Sequence, residues 1–412
     1  MAKIRAFKAL RPTAEMADKI AALPYDVYSS REARKIVEEH PFSFLKIDRA
    51  ETQFPEEVDM YSRQVYEKAA STLREMKEKG EFVQEEADCF YVYELTMDGR
   101  RQRGLVCLAS VDDYLNNVIL KHENTRAEKE LDRINHIDIC SAHTGPIFLA
   151  YRSNEEMKNM IGAIVQTKPI YDFVSEDGIG HRVWKISEPD QIVCITDFVG
   201  QMKHLYIADG PHRAASAGKV GLKRRTEHPD YDGTEEFNYF LSVLFDESEL
   251  KIFDYNRVVH RIDAQTMENL LEKISQNFEI VKCDDASLKP QKKGEIGMFF
   301  KQKWYLLKVR PEIESSDVVD NLDVSLLHNY MLSPIFGIED PKTDSTLQFV
   351  GGIRGLKELE RIVEKDASAV AFAMYPTSME ELLAVADEGR LMPPKSTWFE
   401  PKLRSGLFIH EF

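Results

Sequence analysis

The stretch LYIADGPHRAASAGKVG, Leu205 to Gly221, reads as the end of a strand, a tight turn and the beginning of a helix. Gly210 supplies a backbone conformation that is closed to residues with a side chain. Pro211 fixes φ near about −65° and suits the first position of a helix. The small residues Ala214 to Ala217 let the helix lie close to a neighbouring element. The stretch therefore predicts a strand, turn and helix of a mixed α/β domain.

The same turn is a candidate phosphate site. The free N–H groups and the positive dipole end at a helix start favour an anion, and Arg213 can add a bidentate contact. Asp209, at the strand end, can hold a metal ion or a hydroxyl group, and His212 lies between these two side chains in sequence. The alternative is a plain strand-to-helix turn in which Asp209 caps the helix and His212 and Arg213 are surface residues.

Composition limits the classes of protein. The chain has 412 residues, 43% of them hydrophobic and 30% charged, which is enough for two or three domains with cores. A formal charge of −16 disfavours nucleic acid as a partner, since no local basic patch offsets it. No segment approaches the roughly 20 apolar residues that a bilayer requires, so we expect no membrane contact and a cytoplasmic location. The five cysteines are spread singly, which argues against disulfides and against a zinc cluster.

The order of predicted elements indicates an α+β chain of two domains. A mixed α/β domain is expected over residues 1–261 and a second α+β domain over 262–412. The N-terminal predictions are a helix after Ser29 and Ser30, a buried strand at FSFLKID, and a long helix from about Glu56 to Gly80. Asp98-Gly99 predicts a hairpin. The runs FNYFLSVLF and LKIFDYNRVVHRI are predicted to be two strands of one sheet.

A second group of ionisable residues follows an apolar run at VILKHENTRAEKELDRINHIDIC. A carboxylate on a loop before a helix, here Glu123 beside His122, can act as a general base towards a hydroxyl group. Arg126 follows on the same loop. The run from Glu128 to Arg133 is typical of an exposed, salt-bridged helix. His136 and His143 form no metal-ligand spacing.

Two loops and one strand supply further candidates. Tyr25 and Asp26 follow Pro24 on a loop that either lines a substrate pocket or is a turn with an Asp cap. The loop MPPKSTWFEPKL carries groups suited to phosphate: Lys395, Ser396, Thr397 and Lys402. This loop either caps the site of the N-terminal domain or is pinned to the core by its aromatic residues. Arg257, among strand residues, either faces a ligand or belongs to a buried ion pair.

The sequence resembles, over essentially its whole length, the bacterial and archaeal family known as domain of unknown function 1015 (DUF1015). Seven blocks in the same order carry this resemblance: ALPYDV, KHENT, EKELDR, IADGPHR, YNRVV, LDVSLLH and MPPKSTWFEPKLRSGL. Genes of this family tend to lie beside genes of serine biosynthesis.

Two of these blocks resemble those of the free-serine kinases of the ParB and sulfiredoxin superfamily, which implies a ParB/sulfiredoxin-like N-terminal domain. The resemblance of KHE implies that Glu123 is the base and His122 its neighbour. The resemblance of DGPHR implies that Asp209, Gly210, His212 and Arg213 bind the nucleotide phosphates. Pro211 stands where the kinases carry the first His of a pair, and the interval between the two blocks is longer here.

The resemblance implies a nucleotide-dependent kinase of a small molecule, most simply free serine or a related hydroxy compound. Its cofactors would be Mg²⁺, with ligands that the sequence does not identify, and a nucleotide, ATP or ADP, with CTP as a third candidate. Two alternatives stay open. One is a nucleotide-binding regulator of serine metabolism without turnover, and the other is a phosphatase acting on phosphoserine.

Overall fold

The computed structural model describes residues 1–412, which form two compact units. The first unit comprises residues 1–121, 125–250 and 401–412, and the second comprises residues 122–124 and 251–400. The observed boundary after Leu250 differs from the predicted boundary after Arg261. The reason is that the strand Tyr255–Val259 pairs with Leu347–Gly351 and Val370–Met374 of the second unit. The domain assignment of the last twelve residues also differs from the prediction, because these residues belong to the first unit.

A nine-stranded mixed sheet is the centre of the first unit. Its strands, in spatial order, are Ile119–Leu120, Leu205–Asp209, Ile147–Tyr151, Tyr239–Asp246, Arg100–Ser110, Phe90–Met97, Gly180–Ile186 and Tyr171–Val174, with Ile4–Arg5 beside Arg100–Ser110. Two parallel pairings occur, between Leu205–Asp209 and Ile119–Leu120 and between Tyr239–Asp246 and Ile147–Tyr151. Every residue of Tyr239–Asp246 is buried, as expected of a central strand covered on both faces.

Helices cover both faces of this sheet. The α-helices of the first unit are Ala17–Ile20, Ser30–Glu39, Leu45–Asp48, Arg63–Glu78, Val111–Leu115, Ala127–Cys140, Glu155–Ile164, Pro189–Gly200 and Pro211–Glu227. This unit also has three 3₁₀ turns, the last of which directly follows the strand Tyr239–Asp246: Ala50–Gln53, Glu236–Asn238 and Glu247–Glu249. Short strand pairs join Leu10–Pro12 to Phe82–Gln84 and Ala142–His143 to His410–Glu411.

Local signals explain several of these elements. Ser29 begins the helix Ser30–Glu39 with a capping box, because the Glu32 carboxylate accepts from the Ser29 N–H at 2.8 Å. The predicted hairpin is confirmed, with Asp98 and Gly99 at φ values of 50° and 77° between two antiparallel strands. The long helix ends as predicted before Gly80, but it begins at Arg63 rather than near Glu56.

The second unit is built on a six-stranded antiparallel sheet. In spatial order its strands are Phe278–Asp284, Lys303–Val309, Glu295–Phe300, Val370–Met374, Tyr255–Val259 and Leu347–Gly351, and Ile252–Phe253 pairs separately with Trp398–Phe399. The helical segments are Ala264–Ser275, Pro311–Ile313, Asp323–Leu327, His328–Leu332, Ser333–Phe336, Gly352–Arg354, Leu356–Lys365 and Met379–Asp387. The hydrophobic core of the second unit includes Val258, Trp304, Leu359 and Ala371.

Two predicted elements were wrong. FSFLKID contains the helix Leu45–Asp48 instead of a strand, and its apolar side chains are buried against helices of the first unit. The runs FNYFLSVLF and LKIFDYNRVVHRI do not share a sheet. Tyr239–Asp246 lies in the nine-stranded sheet, whereas Tyr255–Val259 lies in the six-stranded one. Short apolar runs do not reveal which distant strand will pair with them.

The predicted fold class is confirmed: the first unit is a mixed α/β domain and the second an α+β domain. None of the helices combines the length and the apolar character that would be needed to cross a membrane. All five cysteines carry free thiols.

Candidate functional site

The turn from Asp209 to Arg213 has the predicted form. The strand Leu205–Asp209 ends at Gly210, whose φ of 83° is left-handed, and the helix Pro211–Glu227 follows with proline at its first position. No side chain caps this helix start. A helix start of this form is one that can bind an anion, and phosphate binding at this turn stays a prediction.

The carboxylate of Asp209 contacts two groups of the first unit. Its Oδ1 accepts from the Gly210 N–H at 2.9 Å, and its Oδ2 lies 3.0 Å from the Lys402 Nζ. Burial raises the pKa of the Asp209 carboxyl, but the charges of Lys402 and Arg213 outweigh it and hold that pKa below its usual range. Asp209 is therefore an anion at neutral pH.

Arg213 folds back over the turn. A Cβ at Gly210 would lie 2.9 Å from Arg213 Nε and from its Nη2, so the guanidinium occupies the space that only glycine leaves open. Arg213 also donates to the Pro146 carbonyl oxygen. The half-buried guanidinium is thereby held at the helix start.

His212 and Arg126 meet beside this turn. The Arg126 N–H donates to His212 Nδ1 at 3.4 Å, and Arg126 directly precedes the helix Ala127–Cys140. The small residues of the phosphate-site helix make the predicted close approach to that neighbour, since Ser216 Oγ donates to the Glu130 carbonyl oxygen at 3.1 Å. This packing places the loop after KHE, which carries Arg126, beside the beginning of the helix Pro211–Glu227.

A cleft of about 130 Å³ opens around Tyr25. We call it the tyrosine cleft, and its lining is Tyr25, Asp26, Tyr28, Asp48, Arg49, Ala50, Glu51, Met60, Tyr61, Val65, Tyr66, Lys129, Asp132, Arg133 and His136. Burial raises the pKa of Tyr25 to about 12, so its phenol stays protonated. Tyr25 and Asp26 thus line a cleft, and a role for them in substrate binding stays a prediction.

Arg133 is the central cation of the cleft. Its guanidinium lies 3.9 Å from the centroid of the Tyr25 ring and pairs with Asp132 at 2.9 Å. Only 6% of Arg133 is exposed, and Glu130 and Asp132 are buried as well. The prediction of an exposed, salt-bridged helix from Glu128 to Arg133 was therefore wrong, because one side of this helix packs into the domain.

A second, smaller cavity of about 20 Å³ lies between Tyr25 and Arg213. We call it the arginine cavity, and its lining includes Tyr25, Asp48, Arg133, His136, His143, Thr144, Gly145, Arg213 and Ser405. Tyr25, Asp48, Arg133 and His136 line both spaces. The two spaces are therefore neighbours that share part of their walls.

His122 and Glu123 of the KHE segment belong to the second unit. His122 Nε2 lies 3.3 Å from Thr397 Oγ1, and the Met392 N–H donates to the His122 carbonyl oxygen at 2.8 Å. Ser396 bonds within the same loop, to the Pro393 carbonyl oxygen at 2.6 Å. The predicted candidates His122, Ser396 and Thr397 are thus neighbours in the second unit, and Glu123 adjoins them in sequence.

Arg257 supports that loop. It is 3% exposed, and its Nη2 donates to the Lys395 carbonyl oxygen at 3.0 Å, while its Nη1 binds the Tyr255 carbonyl oxygen. Burial lowers the pKa of Arg257 to about 10. Its partners are backbone carbonyl groups, so the prediction of a buried ion pair was wrong. The side chain of Lys395 lies over the Tyr255 ring at 5.7 Å.

The candidates therefore fall into two groups. The first unit contains Tyr25, Asp26, Arg126, Asp209, Gly210, His212, Arg213 and Lys402. Glu123, His122, Arg257, Lys395, Ser396 and Thr397 belong to the second unit. A shared cleft for Glu123 and Arg213 remains a prediction. Sequence reasoning missed Asp48 and Arg133, which line the tyrosine cleft. The only signal for Arg133 was that it ends EKELDR, one of the family blocks.

The chain was compared with protein families and with curated proteins. A family model described as a protein of unknown function (DUF1015) matches residues 4–325. This match spans most of the sequence, so the chain belongs to the DUF1015 family. No curated protein matches the chain.

Three solved structures illustrate what the fold is similar to. SbnI with a C-terminal truncation, from Staphylococcus aureus, has 12% identity and a TM-score of 0.39, over 74% of this chain and 87% of that one. A free serine kinase mutant in complex with ADP has 13% identity and a TM-score of 0.37, over 74% and 92%. A conserved hypothetical protein from Pyrococcus furiosus has 15% identity and a TM-score of 0.36, over 74% and 94%. Likenesses with TM-scores below 0.5 locate no residue of the site.

Proposed function

We propose that this member of the DUF1015 family is a nucleotide-dependent kinase that transfers a phosphoryl group to a small hydroxy compound, with free serine as the first candidate. The observation that carries the proposal is the uncapped helix start at Pro211, with the guanidinium of Arg213 folded over Gly210. Such a turn offers backbone N–H groups and a fixed positive charge to the same anion.

Phosphate binding follows from the charges around the turn. Arg213 donates to a neutral carbonyl oxygen, so its charge is not matched by a directly bonded carboxylate. Lys402 brings a second cation to Asp209. A nucleotide phosphate arriving here would exchange water for charge-assisted hydrogen bonds, which are stronger than neutral ones. His212 stands beside the same helix start and would supply a further donor.

Magnesium fits this site only together with phosphate. No group of three or more His, Cys, Asp or Glu side chains lies close enough to hold a metal ion. Mg²⁺ in nucleotide sites is commonly bound by one or two carboxylates plus substrate phosphates and waters. Asp209 is the carboxylate suited to that role, and the ion would neutralise charge on the transferring group. Lys402 would have to release one oxygen of Asp209 when the ion binds.

Activation of the acceptor hydroxyl is assigned to Glu123. The assignment rests on the resemblance of KHE to the kinase motif, and it requires Glu123 to reach the phosphate-site turn when ligands are bound. His122 is held through its backbone and its ring by the loop from Met392 to Thr397. That loop, with Ser396 and Lys395, would then form the cap over the reacting groups.

A nucleotide-binding regulator is the second candidate. The observation that favours it is Pro211, which occupies the position of the first His in the kinase motif and has no N–H to donate. Phosphate binding tolerates this difference, because Gly210, Arg213 and the remaining N–H groups of the helix are present. A phosphatase acting on phosphoserine would use the same groups, with water replacing the acceptor hydroxyl.

A panel of reactions separates these functions. The protein is incubated with Mg²⁺, serine and ATP, ADP or CTP, and the products are separated by mass spectrometry. The kinase predicts phosphoserine together with the shortened nucleotide. A regulator predicts nucleotide binding in calorimetry without product. Release of inorganic phosphate from phosphoserine in the absence of nucleotide would favour the phosphatase and contradict the kinase.

A further inference from the structure

Two elements of the first unit bring charges of opposite sign to the tyrosine cleft. The helix Ala127–Cys140 contributes Lys129 and Arg133, which are four residues apart and therefore lie on one face of that helix. The 3₁₀ turn Ala50–Gln53 contributes Glu51. Only 4% of Glu51 and 6% of Arg133 are exposed, so both charges depend on partners other than bulk water.

Arg133 has hydrogen-bonding capacity that the protein does not use. Its Nε and Nη2 lie 2.9 Å from the Asp132 carboxylate, and Nη2 also donates to the Asp48 carbonyl oxygen at 3.5 Å. Its Nη1 makes no hydrogen bond. That nitrogen keeps some accessible surface, because it is not among the buried polar atoms of the chain that lack a partner. An anionic group in the cleft would therefore find two free N–H donors on Arg133.

Glu51 offers a free acceptor in the same cleft. Its Oε1 accepts from Arg49 Nε at 2.6 Å, whereas its Oε2 has no hydrogen-bond partner. By the same criterion as for Arg133, this oxygen keeps accessible surface. The other N–H groups of Arg49 donate to the carbonyl oxygens of Tyr25 and Tyr28 and to Ser30 Oγ. Arg49 therefore holds Glu51 in place, while Glu51 Oε2 remains available to a cationic donor.

The size and the charges of the cleft limit its occupant. Its volume of about 130 Å³ compares with the roughly 10–15 Å³ that one water molecule needs, so a small organic molecule fits. An anion alone would leave Glu51 Oε2 without a donor, and a cation alone would leave Arg133 Nη1 without an acceptor. A neutral polyol would satisfy both atoms, but with weaker hydrogen bonds than a group of opposite charge forms. The favoured occupant therefore carries one positive and one negative group.

We propose that the tyrosine cleft binds a small α-amino acid as a zwitterion, with its ammonium group on Glu51 Oε2 and its carboxylate on Arg133 Nη1. Lys129 has no ion-pair partner and lies on the same helix face as Arg133, so it adds positive charge to the carboxylate side. Arg49 is a positioning residue, since it acts by holding Glu51. The inference rests on the proposed function only for the role of the amino acid as phosphoryl acceptor.

Calorimetry on the full chain without nucleotide tests the proposal. The probes are L-serine, ethanolamine, which lacks the carboxylate, 3-hydroxypropanoate, which lacks the ammonium group, and glycerol as a neutral polyol. We expect L-serine to bind about 10- to 100-fold more tightly than either singly charged probe, the effect of one hydrogen bond to a charged group. Because no nucleotide is present, failure of phosphoryl transfer would leave this preference intact.

Two variants locate the binding. Glu51→Gln keeps the size of the side chain and should abolish the preference for L-serine over 3-hydroxypropanoate, while L-serine still binds more tightly than ethanolamine. Met60→Trp adds bulk at a half-buried lining residue and should abolish binding of L-serine without changing a charged group. Val174→Trp is its control, because Val174 is 70% exposed on the strand Tyr171–Val174 and lies outside the cleft lining.

The outcomes that overturn the proposal are equally definite. No binding of L-serine to the wild type, or equal affinity for L-serine and the two singly charged probes, would contradict it. Tighter binding of glycerol would assign the cleft to a neutral polyol. Binding of L-serine that Met60→Trp leaves intact would place the amino acid elsewhere. A preference over 3-hydroxypropanoate that survives Glu51→Gln, with thermal unfolding unchanged, would show that Glu51 does not receive the ammonium group.

Discussion

Lys402 Nζ lies 3.0 Å from Asp209 Oδ2, so the last segment of the chain contributes a cation to the end of a strand almost two hundred residues earlier. Lys402 was expected in the second domain, as part of a cap, but the structure assigns it to the first unit. The phosphate-site turn is therefore completed by the C-terminal residues of the same unit.

This contact predicts a pH-dependent stability. The pKa of Asp209 is lowered in the folded protein, so its contribution is fully present above the unfolded pKa of about 3.9 and is lost as the pH falls through the folded value. Lys402→Ala should cost about 1–3 kcal/mol of unfolding free energy at pH 7 and progressively less below about pH 4. Urea denaturation of the wild type and of Lys402→Ala at several pH values measures this difference in unfolding free energy. A cost that does not shrink in acid would contradict the ion pair as its source.

Arg213→Ala should weaken nucleotide binding by about 1.5–3 kcal/mol, the range for a hydrogen bond to a charged group. Arg74→Ala is the matched control, because Arg74 is an exposed arginine on the helix Arg63–Glu78. Calorimetry with each nucleotide gives the comparison. Equal nucleotide affinities of the two variants would indicate that the turn is a plain helix start and does not bind the nucleotide.

Gly210→Ala separates backbone strain from displacement of Arg213. The added Cβ would meet the guanidinium at 2.9 Å, in a backbone with φ of 83°. Gly178→Ala carries nearly the same strain, with φ of 79°, but its Cβ would meet nothing within 4 Å. Both variants should lose about 1–3 kcal/mol of stability, and only Gly210→Ala should lose nucleotide affinity. Loss of affinity in both would implicate strain alone.

Glu123→Gln should leave nucleotide affinity nearly unchanged and lower turnover by about 10²–10⁴-fold, since a general base acts mainly in the transition state. Glu128→Gln, an exposed carboxylate a few residues later, is its control. Single-turnover kinetics and calorimetry together show whether binding and rate separate. An active Glu123→Gln enzyme would mean that another group is the base.

Pro211→His restores the pair of histidines found in the kinase motif. If Pro211 has only reduced the rate, this variant should phosphorylate the acceptor faster than the wild type, with nucleotide affinity changed little. Initial rates at saturating nucleotide decide the matter. A slower variant with an intact fold would indicate that Pro211 belongs to the mechanism of this chain.

Local sequence signals predicted much of the fold. The hairpin at Asp98-Gly99 and the strand, turn and helix around Gly210 need backbone conformations that few residues allow, so short motifs reveal them. The helix at Leu45–Asp48 was missed, because a short apolar run fits a strand or a buried helix equally well. The sheet that receives Tyr255–Val259 depends on pairing with strands about a hundred residues later.

The candidate site was predictable only where its residues lie close in sequence. Asp209, Gly210 and Arg213 stand in one motif, and the structure has the strand, turn and helix that this motif predicts. His143 and His410 meet across 267 positions, and His410 also contacts Glu236, which no spacing in the sequence connects to it. Such arrangements arise from tertiary packing, which a single sequence does not reveal.

The most direct test follows the terminal phosphate of the nucleotide. ATP and ADP labelled in the terminal phosphoryl group are incubated with Mg²⁺, serine and the wild type, with Arg213→Ala and Arg74→Ala in parallel. The account predicts label in phosphoserine for the wild type and Arg74→Ala, and much less for Arg213→Ala. Label that never leaves the nucleotide, or that leaves equally well in Arg213→Ala, would contradict phosphoryl transfer at this turn.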